Sequence, residues 1–208
     1  MRIGILGAGN MAGALGAQWV RAGHEVLVGA RDRDKAVRRA ADIGPGARAG
    51  GLREAAAFGE ATLLAVAYEG VADVLGQVGD VLRGRTVIDC MNGIVHPDVT
   101  LATGTGPSVA RRVADATGAH VVKAFNLCPD AMWRMTPPQV DGRPLTVPVC
   151  GDDSGALATV RTLIDDLGCV PAVAGGLDRA GVLEATAAYV IGLHITGIDP
   201  RSALPSLS

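Results

Sequence analysis

Six residues near the start of the chain, Gly7-Ala8-Gly9-Asn10-Met11-Ala12, carry the spacing G-x-G-x-x-G/A. They follow an apolar run and open a stretch of helical periodicity, the context in which this spacing holds the pyrophosphate of a dinucleotide. Gly7 permits a tight turn, Gly9 lets a phosphate approach the backbone, and the small Ala12 lets helix and strand pack closely. Backbone N–H groups at Gly9, Asn10 and Met11 would then bind phosphate oxygens, helped by the helix dipole. In a chain with 29 glycines the same six letters can also mark a plain structural turn. Their place at the end of a first strand, inside a β-α-β unit of the right length, favours binding.

A second charge pattern bears on which dinucleotide. About twenty residues after the glycines an Asp or Glu normally accepts hydrogen bonds from the adenosine ribose of NAD. The stretch VGARDRDK, residues 28–35, instead places Gly29 and Ala30 there, followed by Arg31, with Arg33 and Lys35 close behind. A guanidinium makes charge-assisted bonds to a phosphate worth roughly 1.5–3 kcal/mol each. Ala30, Arg31 and Lys35 are therefore expected to face the 2′-phosphate of NADP. The plainer reading is a solvated helix start whose alternating charges pair with one another.

Other polar groups lie downstream. Lys123 and Asn126 close an apolar run, and an ammonium or a carboxamide N–H there would stabilise charge developing on a carbonyl or imine. The alternative is a structural pair that satisfies loop carbonyls. Met132 and Trp133 would stack on a flat heterocycle or else cover the core. Cys128, beside Pro129, is either a nucleophile or a small apolar filler, and no basic neighbour in sequence lowers its pKa. Tyr189 and His194 line a pocket or pack at an interface. Asp152 and Asp153 read as helix caps. The four cysteines lie far apart and no histidine pair has ligand spacing, so no metal site is expected, and free thiols in a reducing cytoplasm fit best.

These groups need a scaffold. Residues 2–6, 25–29, 62–67, 86–90 and 120–124 read as strands, nearly continuous in apolar character and so buried on both faces. Residues 10–22, 32–43, 69–82 and 107–117 carry Ala, Leu and Val at helical spacing. In the third of these helices Val71, Val74, Leu75, Val78 and Leu82 form the stripe that should face a sheet. The fold class is α/β, a Rossmann-type doubly wound, mostly parallel sheet. Residues 145–150, 153–167, 169–174 and 178–196 add a small C-terminal strand and helix extension. One unit is expected over 1–208, with a nucleotide-binding core at 1–144 and the extension at 145–208. Residues 125–144 break the rhythm, and so long an irregular stretch is often functional.

Composition narrows the partners. Of the 208 residues 49% are hydrophobic and 19% charged, with a formal net charge of -2. That balance argues against nucleic acid and against disorder. No run of about 18 apolar residues exists to span a bilayer, and the glycine spacing and the lack of a cleavage site argue against a signal peptide. A cytoplasmic protein with a small-molecule substrate and no membrane partner is expected. The last helix, with Val182, Leu183, Thr186, Val190 and Leu193, is apolar around more than one side, which a homodimer would cover.

From GAGNMAGALG through VGARDRDKA, LLAVAYEGV, TVIDCMNGI, GPSVARRV and VVKAFN to VPVCGDD, nearly the whole chain resembles the F420H2:NADP oxidoreductase family, small single-Rossmann reductases. The cytoplasmic domains of metalloreductase membrane proteins are similar. The resemblance implies NADP(H) as cofactor, coenzyme F420 as second substrate, and direct hydride transfer, a reaction that needs mainly close positioning. It places Ala67 and Tyr68, at the family's Pro-Trp position, and Asn92 beside the nicotinamide half. It places Asn126 and Pro129 at the second substrate, with Asn126 where these reductases carry histidine; Cys128 and Trp133, in the same segment, are expected to share that pocket. Two other readings of the residues stay open: an NADPH-dependent reductase of a small ketone or imine, and an NADPH-sensing protein without turnover.

Overall fold

The structure, a computed structural model, describes residues 1–95 and 97–203. Its elements run β1 (Arg2–Leu6), α1 (Asn10–Arg21), β2 (Glu25–Gly29), α2 (Arg33–Ile43), β3 (Ala47–Gly50), α3 (Leu52–Phe58), β4 (Ala61–Leu64), α4 (Val71–Leu82) and β5 (Thr86–Asp89). A hairpin follows, β6 (Ile94–Val95) and β7 (Thr100–Leu101), then α5 (Val109–Thr117), β8 (His120–Lys123) and α6 (Asp130–Trp133). A second hairpin, β9 (Gln139–Val140) and β10 (Arg143–Pro144), leads to β11 (Thr146–Gly151), α7 (Ser154–Asp165), β12 (Val170–Gly175), α8 (Ala180–Ile195) and α9 (Pro200–Ala203).

Eight strands form one sheet in the order β12-β11-β8-β5-β4-β1-β2-β3. From β3 to β8 this is the doubly wound order in which the chain starts mid-sheet, runs to one edge and returns to the other side of β1. The reversal beside β1 opens a crevice at the strands' carboxyl ends, where Gly7 and the end of β4 meet. All pairings are parallel except β11 with β8, where Cys150 lies opposite Lys123 and Gly151 opposite Val122. The expected mostly parallel Rossmann-type sheet is the one found, and the C-terminal strands extend it.

One face of the sheet is covered by α1, α2 and α7, the other by α3, α4, α5 and the start of α8. The α4 stripe faces the sheet as its spacing predicts, with Val71, Val74, Val78 and Leu82 buried. Sequence reasoning left residues 44–60 unassigned, and there the structure has β3 and α3. The run ARAG has no β-branched residue, so β3 exists through its ladder with β2, Val26 opposite Ala47 through Gly29 opposite Gly50. α3, only 7 residues long, is too short for periodicity to reveal. It lies directly on the strands: a Cβ at Gly4 would stand 1.9 Å from the Ala55 carbonyl oxygen.

The irregular 125–144 segment is held from two sides. Gln18 on α1 donates to the Trp133 carbonyl at 2.7 Å and also to that of Met135, and Arg21 donates to the Thr136 hydroxyl at 2.9 Å. At its start Phe125 has φ +64°, an uncommon conformation for a bulky residue. That turn drops the Phe125 ring between Trp19 and Trp133, edge to face with both at 5.9 and 5.3 Å between centroids. Trp133 is 1% exposed and donates through Nε1 to the Cys128 carbonyl at 3.1 Å. Trp133→Ala is expected to cost about 3–5 kcal/mol of stability, read as a lowered urea midpoint with an unchanged slope.

Candidate active site

The glycine turn is built by close backbone contact. Gly7 donates its N–H to the Gly29 carbonyl at 2.8 Å and has φ +118°. A Cβ on it would stand 2.2 Å from the Ala65 carbonyl oxygen, so β1 can turn beside β4 only with glycine here. Gly9 is the contrary case, since a Cβ on it would meet nothing within 4 Å. It caps α1 without any side-chain hydrogen bond, so the first N–H groups of the helix, at Asn10 and Met11, have no side-chain partner there. An open backbone, free donors and the positive end of the helix dipole make an anion cradle, and a pyrophosphate fits it. Arg39, which sequence reasoning did not single out, fixes the turn from α2 by donating through Nε to the Ala8 carbonyl at 3.1 Å.

Gly7, Gly9, Ala30, Arg31, Lys35 and Ala67 line a common cavity of about 390 Å³ at the carboxyl ends of β1, β2 and β4. Asp32 caps α2 by accepting from the Lys35 N–H at 3.1 Å, which pulls its carboxyl below the usual range. Arg31, one residue earlier, is left outside the helix and reaches across the cavity mouth to Asp73 on α4 at 3.2 Å. Both members of that pair are more than half exposed. Such pairs contribute only ~0–1 kcal/mol, so an arriving phosphate meets little competition. Tyr68 stands beyond Ala67, accepts from Arg112 at 3.3 Å and lines a wider groove of about 630 Å³ between α4 and α5.

On the other side of the sheet centre, Asn92 follows β5 and Asn126 follows β8. Their side chains interlock: Asn92 donates through Nδ2 to the Asn126 backbone carbonyl at 2.8 Å, and Asn126 donates through Nδ2 to Asn92 Oδ1 at 2.8 Å. Asn126, Cys128 and Pro129 then line a smaller cavity, about 290 Å³, closed by α8. Trp133, expected in this group, lies behind it in the core. Burial pushes the Cys128 thiol above its ordinary pKa, which favours the apolar filler over the nucleophile.

Lys123 has no exposed surface. Its ammonium donates to Asp89 at 3.2 Å, to Glu184 at 2.8 Å and to the Met91 carbonyl. Burial pulls its pKa down, but the two carboxylates more than offset this and hold it above the ordinary lysine value. Asp89 is pushed up, chiefly by burial and against the attraction of Lys123. Glu184 also accepts the N–H groups of Val109 and Ala110 at 3.0 and 3.3 Å, so the start of α5 balances the excess negative charge. The sequence signal for Glu184 was its isolation as an acid in an otherwise apolar helix.

The comparisons follow this geometry. Residues 2–93 match the family described as NADP oxidoreductase coenzyme F420-dependent. The F420-dependent NADP reductase of Methanothermobacter marburgensis is 30% identical, over 94% of this chain and 93% of that one. The chain belongs to this family. Among solved structures, a candidate F420-dependent NADP reductase from Arthrobacter sp. FB24 shares the fold with a TM-score of 0.82 and 24% identity, over 94% of this chain and 95% of that one. An imine reductase from Aspergillus terreus shares it with a TM-score of 0.68 and 22% identity, over 94% of this chain and 63% of that one.

In Lys123→Met, Asp89 and Glu184 face each other in a dry interior without their cation. A loss of about 3–5 kcal/mol is expected. Asp89, already above its ordinary 3.8, would rise further. A carboxyl with a raised folded pKa stabilises below the unfolded value and loses that contribution as pH climbs through the folded one. Urea titrations should therefore find the variant's deficit smallest near pH 4 and growing toward neutrality.

Proposed function

We propose that this protein moves a hydride between NADPH and the deazaflavin coenzyme F420. The observation that carries the reading is the open phosphate cradle at Gly9 sharing one cavity wall with Arg31, in a family whose named members are F420-dependent NADP reductases. Gly9, Asn10 and Met11 would bind the pyrophosphate, Arg31 and Lys35 with Ala30 the 2′-phosphate, and Ala67, Tyr68 and Asn92 would border the nicotinamide half. The nicotinamide supplies the hydride chemistry when bound. F420 takes up that hydride with one proton from solvent, so the chain need only orient two flat rings and exclude water between them.

The acceptor would sit against Asn126, Cys128 and Pro129, in the cavity that α8 closes. The ketone or imine reading asked Lys123 or the Asn126 carboxamide N–H to stabilise developing charge. With Lys123 spent on three acceptors and the Asn126 N–H groups bonded to Asn92 and Leu183, neither is free for that task. Both serve instead as supports. The imine reductases share only the fold with this chain, and the nucleotide-sensing reading has no observation of its own.

A two-fold partner through α8 belongs to the same proposal. Val182 and Tyr189 are exposed, while Leu183, Ala187 and Ala188 on the opposite side are buried, and Ile195 and Ile198 at and beyond the helix end are exposed as well. An apolar helix buried on one side and apolar on the other is the pattern a homodimer would cover. In keeping with a soluble, cytoplasmic setting, no described helix is long and apolar enough to cross a membrane.

The decisive experiment is NADPH with F420 followed at the deazaflavin absorbance across mildly acidic to basic pH; absence of reduction throughout would remove F420 as the substrate. Arg31→Ala should weaken NADPH binding more than about tenfold and leave NADH nearly untouched. Equal losses for both nucleotides would deny Arg31 its part in phosphate selection. Sedimentation at micromolar concentration should find a dimer, and a monomer there would remove the α8 interface.

A further inference from the structure

Four cations lie on α2, and one of them is folded inward. Arg33, Lys35 and Arg38 are exposed, whereas the Arg39 side chain is only 19% exposed, because position 39 borders the buried stripe of Ala36, Ala40 and Ile43. From there it runs across α1 toward the glycine turn. A Cβ at Gly13 would stand 2.6 Å from its Nη1 and 3.0 Å from its Cδ, so the guanidinium lies where it does over a residue without a side chain.

At the end of that path Nε donates to the Ala8 carbonyl at 3.1 Å. Ala8 borders two hollows: the cavity it shares with Gly9, Arg31 and Ala67, and a separate one over α2 lined by Lys35, Arg38, Arg39 and Asp42. In a trans peptide the C=O and the following N–H point in opposite directions. With the Ala8 oxygen held by Arg39, the Gly9 N–H points away from α2. Among the described residues no backbone carbonyl accepts that N–H. Gly9 tolerates φ of either sign and has open space where a Cβ would be, so local sterics do not stop the Ala8–Gly9 peptide from turning over. Turned over, it would put a carbonyl oxygen where the N–H now stands, and an anion would meet lone pairs instead of a donor.

We infer that Arg39 is a positioning residue for the dinucleotide pyrophosphate: its hydrogen bond from behind the turn holds the Ala8–Gly9 peptide with the N–H toward the phosphate and the oxygen withdrawn. This rests on the dinucleotide half of the proposed function. It also separates two tasks. Arg31 distinguishes NADPH from NADH, whereas Arg39 serves both, because both carry the pyrophosphate.

The test is equilibrium binding of NADPH, NADH and adenosine 2′-monophosphate to the full chain; the last has the 2′-phosphate and no pyrophosphate. Two variants divide what the side chain does. Methionine fills similar space without a donor, and glutamine sets an uncharged N–H at the place of the arginine Nε. Arg39→Met should weaken NADPH and NADH alike by about tenfold and leave adenosine 2′-monophosphate within about twofold. Arg39→Gln should recover most of that loss, to within about threefold of the natural protein. Should Arg39→Met not fold, Arg39→Ala takes its place in the same comparison. Equal losses in the methionine and glutamine variants would show that the charge acts and not the hydrogen bond, which overturns the inference. A loss of adenosine 2′-monophosphate as large as that of NADPH overturns it too, since the damage then reaches beyond the turn. Unchanged dinucleotide binding in Arg39→Met does the same. Failure of F420 reduction with this binding pattern intact removes the acceptor and leaves the inference standing, and a natural protein that binds neither dinucleotide removes both.

Discussion

The buried ammonium of Lys123 is the constraint on which the Asn92 and Asn126 side of the cleft depends. It joins β8 to β5 through Asp89, to the loop after β5 through the Met91 carbonyl, and to α8 through Glu184. Removing three charged groups from water costs several kcal/mol for each, and only mutual pairing with every remaining donor and acceptor satisfied offsets it. The network meets that condition: Asp89 also takes the Met91 N–H at 2.8 Å, and Glu184 takes two N–H groups from α5. Pairing of this kind does little for net stability compared with a well-packed apolar core. Its effect is geometric, because each partner tolerates few alternative positions.

That geometry reaches the cleft within one to three residues on each element. Met91 precedes Asn92, Lys123 lies three residues before Asn126, and Glu184 follows Leu183, whose carbonyl takes the second Asn126 N–H. Three elements pinned by charge in the interior thus hold the Asn92 side chain and the Leu183 carbonyl against Asn126, which lines the cavity. The charges stay dry beneath. For hydride transfer between two rings that bring their own chemistry, a fixed wall contributes by positioning.

The Arg31 side of the cleft follows the opposite plan. Arg31 is exposed and tied only to Asp73, so its position is weakly held and exchangeable. The difference follows from what each side must do. A phosphate dianion can reorder a solvated guanidinium by attraction alone, at ionic-strength-dependent gain. A flat neutral ring has no such reach and needs a wall already in place.

Legibility from the sequence divides along the same line. The glycine turn and the place of Arg31 on the same cavity were readable because their determinants are local: glycines at fixed spacing, a strand end, a missing acid. The strands around them were readable because burial on both faces makes them apolar throughout. β3 and α3 were not, since ARAG and a seven-residue helix carry no period and exist through contact with β2 and with strand glycines. Lys123 and Asn126 were visible as unusual polar residues, but their roles depended on partners at positions 89, 92, 183 and 184, fixed only when the sheet and α8 close together. The residue types alone offered the Asn126 carboxamide N–H to a substrate; the fold spends both N–H bonds, on Asn92 and on the Leu183 carbonyl. A long-range network can thus take up the donors that local reasoning leaves free for a ligand.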